Sequence, residues 1–270
     1  MMNILLPTDF SENSRNAAAY ALQFFGAIPC NFHLLHAVPA SGMAIGASPN
    51  IIPAHIQGKF EDMLNWLEGI KQNPEHKFHI SFKVNYLIEA VRQQVAEKNI
   101  DLILMGTKGA TNKKGAIIGK NTSDIMMKVK CPAMAISEKA VYKTYKEILF
   151  PTDYKIHYNP KMLDTLMVLK NFSKASVKIL ELFNSDTEPS EEQETNKSYL
   201  YKSFSPEIPQ VQTFYSSQSS DTTSLFETNP NVDMIVMAAK NLNLCQRLLR
   251  NNSQTQIPFI KQLPLLVLHG

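Results

Sequence analysis

The octapeptide ILLPTDFS at Ile4–Ser11 comes back, barely altered, as ILFPTDYK at Ile148–Lys155. Both copies are an apolar run closed by Pro-Thr-Asp. A short run of this kind cannot be half exposed, so it reads as a buried strand of a parallel sheet. Two more echoes follow in the same order. NIDLILM at Asn99–Met105 answers NVDMIVM at Asn231–Met237, and CPAMAI at Cys131–Ile136 answers LPLLVL at Leu263–Leu268. Echoes that keep their order indicate a duplicated domain.

Working outward, the first half alternates strands and helices. Strands are expected at Asn3–Thr8, Asn31–Val38, Phe78–Val84, Asp101–Met105 and Ala133–Ile136. Helices are expected after Ser11, over His55–Ile70, over Leu87–Lys98 and near Thr122–Val129. Beyond a linker near Glu138–Tyr145 the scheme repeats. Strands fall at Glu147–Pro151, Ser176–Phe183, Val211–Tyr215, Val232–Met237 and Leu265–Leu268, with helices near Pro160–Phe172 and Asp221–Glu227. The polar, acidic stretch Asn184–Lys197 reads as a solvated loop or a degraded helix. Alternation of this sort implies right-handed crossovers and a parallel sheet covered by helices on both faces. The expected domains are 1–140 and 141–270.

The chain has 270 residues, enough for two domains that each bury a core. With 44% hydrophobic and 19% charged residues, it has the composition of an ordinary soluble protein. A net charge of +3 is too small to argue for nucleic acid, and the basic residues lack interleaved stacking aromatics. The excess is local: residues 1–140 carry 14 Lys and Arg against 11 Asp and Glu, and the rest balance. Lys108, Lys113, Lys114, Lys120, Lys128 and Lys130 cluster around one loop. Cys30, Cys131 and Cys245 are scattered and odd in number, which suggests free thiols in a reducing compartment. No apolar stretch approaches the ~20 residues of a membrane span, and the first apolar run reads as a strand rather than a secretory signal. The expected location is cytoplasmic, with no membrane partner.

That loop carries the chemistry. After the fourth strand come Gly106, Gly109 and, nine residues on, Gly119 at the start of a helix. A glycine just beyond a parallel strand lets the backbone turn sharply and approach a ligand. A helix start offers unpaired N–H groups and the positive end of the dipole, so an anion is its natural guest. Ligands of open parallel sheets bind in the crevice beyond the strand C-termini. Asp9 should face that crevice, suited to a ribose hydroxyl or a phosphate-bound Mg²⁺. The corresponding second-half stretch, Ala238–Arg250, has no glycine, so the same site should not form there.

These motifs resemble the universal stress proteins, and more closely the tandem type with two such domains fused. The resemblance rests on strand-PTDFS, on LLHAV at Leu34–Val38, and on the glycine-x2-glycine-x9-glycine spacing before a Cys-Pro strand. It is strong over residues 1–140 and thin beyond about 155. It implies two tandem open parallel five-stranded α/β sandwiches, and many family members bind ATP. By position, Pro7, Thr8, Asp9 and Val38 would line the adenosine side. Met105, Gly106, Gly109, Gly119, Lys120, Asn121 and Thr122 would hold ribose and phosphates. The family usually has Ser or Thr where this chain has Lys120. A lysine there can meet phosphate as a point charge, or crowd the helix start. Single-domain relatives pair through their last strands, so fusion would make that pairing intramolecular, between Ala133–Ile136 and Leu265–Leu268. A homodimer of the whole chain is a further state the resemblance allows.

Other residues carry less. His33 and His36 lie three apart on a strand, on opposite faces, and cannot share a metal. No serine has the Gly-x-Ser-x-Gly setting of a hydrolase nucleophile. Met126 and Met127 read as helix packing. Asp124 and Glu138 form no catalytic pair. The leading expectation is a cytoplasmic stress-response protein that binds ATP, ADP, AMP or a cyclic nucleotide and signals by binding, with occupancy ordering the Gly106–Gly119 loop. A slow ATPase and a nucleotide-free interaction protein are the alternatives.

Overall fold

The computed structural model describes residues 1–42, 51–108, 118–184, 187–216, 229, 231–239 and 263–269. The chain divides into two compact units, Met1–Tyr142 and Lys143–Gly270.

The first unit contains strands β1 (Met2–Pro7), β2 (Cys30–Val38), β3 (Lys77–Val84), β4 (Leu102–Gly106) and β5 (Ala133–Ile136). Its helices are α1 (Glu12–Phe24), α2 (Ala54–Ile70), α3 (Leu87–Lys98) and α4 (Lys120–Lys128). All strand pairs are parallel, in the order β3-β2-β1-β4-β5. β1 and β4 lie centrally, which is why their sequences are unbroken apolar runs. Residues Ile4, Leu5, Ile103 and Leu104 are fully buried. Helix α1 packs against α2, and α3 against α4, so helices cover the sheet on both faces.

The second unit contains β6 (Glu147–Thr152), α5 (Pro160–Ser173), β7 (Ser176–Asn184), α6 (Glu191–Ser203), β8 (Gln210–Ser216), β9 (Met234–Ala238) and β10 (Leu265–Leu268). Its order is β8-β7-β6-β9-β10, again parallel, so strand for strand it repeats the first unit. The expected helix Asp221–Glu227 lies outside the described residues, as do Cys245 and most of Ala238–Arg250.

The echoes persist because each copy makes the same backbone bonds. Asp101 accepts the Asn3 N–H (2.8 Å) and returns its own N–H to the Asn3 carbonyl. Asp233 accepts the Lys146 and Glu147 N–H groups and donates its own to Glu147. The prolines of the third echo, Pro132 and Pro264, accept the N–H of Ile103 and Ile235. These pairs clamp the N-terminal ends of the central strands, whatever happens at the other end.

One expectation needs correcting. The acidic stretch is irregular over 187–190, but from Glu191 it is a fully formed helix, α6, and its first residue, Asn184, still belongs to β7. Ser190 and Gln193 form a reciprocal capping box, and Glu191, Glu192 and Glu194 sit in the first turn. Acidic side chains are favourable at that end of the helix dipole. The helix was hard to read because it buries little apolar surface: Asn196 and Leu200 are its inward residues.

Candidate functional site

The strand-end turn of the first unit is built by side chains. Thr8 continues the sheet by donating its N–H to the Leu35 carbonyl (2.8 Å). Its hydroxyl then accepts the N–H of Phe10 (2.9 Å), which takes a left-handed conformation (φ 63°). Asp9 Oδ1 accepts both the N–H and the hydroxyl of Ser11 (3.1 and 2.6 Å). Ser11 in turn caps α1, its side chain accepting from the Ser14 N–H. Thr8 and Ser14 share a hydroxyl–hydroxyl hydrogen bond of 3.0 Å. The carboxylate of Asp9 is therefore held at the mouth of the crevice by the same residues that start the helix.

On the far side, the glycine at the end of β4 also meets a packing demand. A Cβ on Gly106 would stand 3.0 Å from the Asn13 side chain and 3.1 Å from its carbonyl. The glycine lets α1 lie close on β4. From there Thr122 Oγ1 donates to the Gly106 carbonyl (2.9 Å) and the Gly119 N–H donates to Thr107 (2.6 Å). Two bonds thus tie the start of α4 to the end of β4. Gly119 is the N-cap and provides no side-chain cap, and the first turn holds no acidic residue. The N–H groups of Lys120, Asn121 and Thr122 are left as anion donors.

Between these walls lies a cavity of about 700 Å³. Of the residues singled out in the sequence, Pro7, Thr8, Asp9, Met105, Gly106, Gly119, Lys120, Asn121 and Thr122 all line it. Gly109 lies outside the described residues, as do Lys113 and Lys114. At the end of β2 the wall is made by His36, Ala37 and, just past the strand, Pro39, and not by Val38. Thr122 is buried with its hydroxyl engaged, so its backbone, not its side chain, is what it offers a ligand. Lys120 is exposed at the start of α4 and lines the cavity.

Ser14, His36, Tyr86 and Leu87 line this wall beyond the residues expected from the sequence, and Lys108 of the basic cluster joins them. Tyr86, 74% exposed, precedes α3 at the C-terminal end of β3, a place that itself predicts a crevice residue. His36 Nδ1 lies 2.7 Å from the Thr8 carbonyl, which can only accept, so Nδ1 carries the proton. Burial, partly offset by that bond, holds its pKa below the ordinary value, so the ring stays neutral and Nε2 carries a lone pair. The ring rests against Phe10 (4.7 Å between centroids).

The sequence profile described as "Universal stress protein family" matches residues 1–137. The chain belongs to the universal stress protein family. Universal stress protein MJ0577 of Methanocaldococcus jannaschii is 26% identical over 156 residues, 50% of this chain and 94% of that protein. Universal stress protein MJ0531 of the same organism is 21% identical over 138 residues, covering 50% and 81%. Among solved structures, a universal stress protein from Archaeoglobus fulgidus matches with a TM-score of 0.63, covering 99% of this chain and 98% of that one. At 17% identity that likeness is one of fold.

In this family member the second unit keeps the turn and changes its surroundings. Tyr154 has φ 59° and donates its N–H to Thr152 Oγ1 (3.0 Å), and Asp153 Oδ1 accepts from Lys155. The segment before α5 is longer than that before α1, and it sends Tyr154, Ile156 and Tyr158 into the core. The Tyr158 hydroxyl meets Thr152 as Ser14 meets Thr8. Glu181, in register with Thr152 and 3% exposed, stands where the first unit has His36. Its carboxylate accepts from Lys197 (2.8 Å), Tyr154 (2.9 Å), Tyr201 (2.8 Å) and Thr213 (2.7 Å).

Among the described residues no group of three or more His, Cys, Asp or Glu is arranged to hold a metal ion, and no helix is long and apolar enough to cross a membrane. Asp124 pairs with Lys128 (2.6 Å), and Met126 is core. Cys30 and Cys131 are buried thiols.

Proposed function

We propose that the first unit binds an adenine nucleotide, ATP foremost, and that the protein acts in the cytoplasmic stress response by nucleotide-dependent binding rather than by turnover. One observation carries this reading. The glycine-capped, acid-free start of α4 and the Asp9 turn face each other across a cavity of about 700 Å³ at the strand C-termini. A polyphosphate suits the N–H groups of α4 together with Lys108 and Lys120, and a ribose suits Asp9. Family membership supports the choice of an adenine nucleotide, since many universal stress proteins bind ATP.

Asp9 is the only acidic side chain among the described lining residues. It fits a Mg²⁺ that arrives on the phosphates and keeps most of its ligands from phosphate and water. Such an ion would neutralise phosphate charge. The second unit, whose turn is packed with Tyr154 and Tyr158, serves as a structural and partner-binding half.

Isothermal titration with ATP·Mg²⁺ tests the reading, using Gly119→Asp as the control. Gly119 has φ −71° and ψ 159°, open to any residue, and aspartate is a favoured N-cap. The variant should fold, yet set a carboxylate where phosphate belongs. One site per chain, lost in Gly119→Asp, is the expected result. Equal affinity in both proteins would remove the phosphate from α4.

A further inference from the structure

The opposite side of β2 carries a second cavity, independent of the first. It holds about 580 Å³ and lies between β2, the edge strand β3 and the flank of α3. Two of its wall residues each carry one buried polar atom that the fold leaves without a hydrogen-bond partner. His33 is 8% exposed and Gln94 1%, and neither His33 Nε2 nor Gln94 Oε1 has a hydrogen-bond partner. Buried polar atoms are nearly always paired, so two in one wall point to a group that comes from outside.

The chemistry of that group follows from the wall. Gln94 Nε2 donates to Glu97 Oε2 (3.4 Å), and reversing the amide would set an oxygen against that carboxylate. Oε1 is therefore fixed as an acceptor, and its partner must bring a hydrogen. Burial, with His79 and Lys98 nearby, brings His33 down to about 4, so its ring is neutral with one N–H and one lone pair. A hydroxyl satisfies both groups, donating its one hydrogen to Gln94 Oε1 and accepting from His33 Nε2 in the tautomer that carries the proton there. The charge around them is positive on balance. Lys83 and Lys98 face a single carboxylate, Glu97, which is already shared with Lys83 (3.5 Å) and the Gln93 amide (2.6 Å). That balance favours an anion and opposes a metal ion.

We propose that this cavity is a second ligand site, taking a small oxyanion that carries a neighbouring hydroxyl, a hydroxycarboxylate or a polyol phosphate. The hydroxyl lies between His33 and Gln94, and the anionic group meets Lys83 and Lys98. His79, stacked on His33 at 4.9 Å in register across β2 and β3, forms the outer lip.

The test is a titration of the whole protein followed through its histidine ring signals by NMR. The probes are glycerol 3-phosphate and malate, each beside its counterpart without the hydroxyl, propyl phosphate and succinate. Saturable shifts at His33 and His79 are expected, with about tenfold weaker binding for the counterparts, the weight of one neutral hydrogen bond. Response to only one hydroxylated probe would identify the anionic group. Lys98→Glu, at an exposed position, should abolish the shifts while ATP binding persists. Gln94→Leu should weaken binding by about tenfold, and if it fails to fold, Lys98→Glu decides alone. No saturable shift at millimolar concentrations, or equal binding with and without the hydroxyl, would overturn the proposal.

Discussion

At the scale of single residues, two strained positions show how the turn works. Phe10 and Tyr154 are aromatic residues at positive φ, an arrangement that costs free energy unless neighbours impose it. In both, a threonine hydroxyl two residues back accepts the N–H. The Pro-Thr-Asp repeat could be read as a strand end from the sequence. Its left-handed aromatic could not, because nothing in the residue type demands that conformation. Gly106 was found for an incomplete reason, since the demand comes from Asn13, a residue distant in sequence. Gly106→Ala should therefore cost about 1–3 kcal/mol, seen as a lower midpoint in urea. An unchanged midpoint would mean that α1 shifts freely. His33 gives a pH test of the same kind. Its folded pKa, about 4, lies below the ordinary 6.5, so between those values the unfolded chain binds more protons. Stability should fall by roughly 2 kcal/mol as pH drops from 6.5 to 4. His33→Asn should flatten that part of the profile, and an unaltered slope would assign it to other groups.

At the scale of elements, the strands were legible and α6 was not. Central strands announce themselves as short apolar runs, whereas α6 is held by capping and by a polar network. Ser190 and Gln193 stand at a capping-box spacing, but a run of glutamates reads first as a solvated stretch. The network around Glu181 joins four pieces of chain: the turn after β6, β7, α6 and β8. Burial alone would raise the Glu181 pKa, yet its hydrogen bonds from Lys197, Thr213, Tyr201 and Tyr154 prevail and lower it. A depressed carboxylate contributes stability above its unfolded pKa and loses it as pH falls through the folded value. Glu181→Gln keeps the shape but leaves the Lys197 ammonium without its counter-charge. A loss of about 3 kcal/mol is expected at pH 7, shrinking as the wild-type carboxyl is protonated in acid. Ser190→Ala should cost about 1 kcal/mol at any pH where the fold persists. Hydrogen exchange along α6 would report both, and protection equal to wild type in the two variants would mean that other contacts hold the helix.

At the scale of the molecule, duplication explains why the two ends of each sheet have diverged unequally. The N-terminal ends of the central strands are clamped by Asp101 and Asp233 in the same way, and there the two sequences still agree. Among the described residues the C-terminal ends differ: the first borders a cavity, and the turn of the second is packed with Tyr154 and Tyr158. The expectation of no site there rests on Ala238–Arg250, most of which lies outside the described residues, and the tyrosine cluster was not legible in the sequence, since Tyr158 reaches Thr152 only through a lengthened loop. The contrast also suggests a direct way to convert one end toward the other. Ser14 lines the first cavity and bonds Thr8, while in the second unit a tyrosine hydroxyl meets the equivalent threonine. Ser14→Tyr should fill part of the cavity with an aromatic ring. The expected result is loss of the ATP titration signal, with the stability of the unliganded protein changed by about 1–3 kcal/mol at most. Wild-type protein at 100 times Kd should gain about 2.7 kcal/mol from ATP, and the variant nothing. Should Ser14→Tyr still bind with wild-type affinity, the nucleotide does not occupy this cavity, whatever the effect of Gly119→Asp.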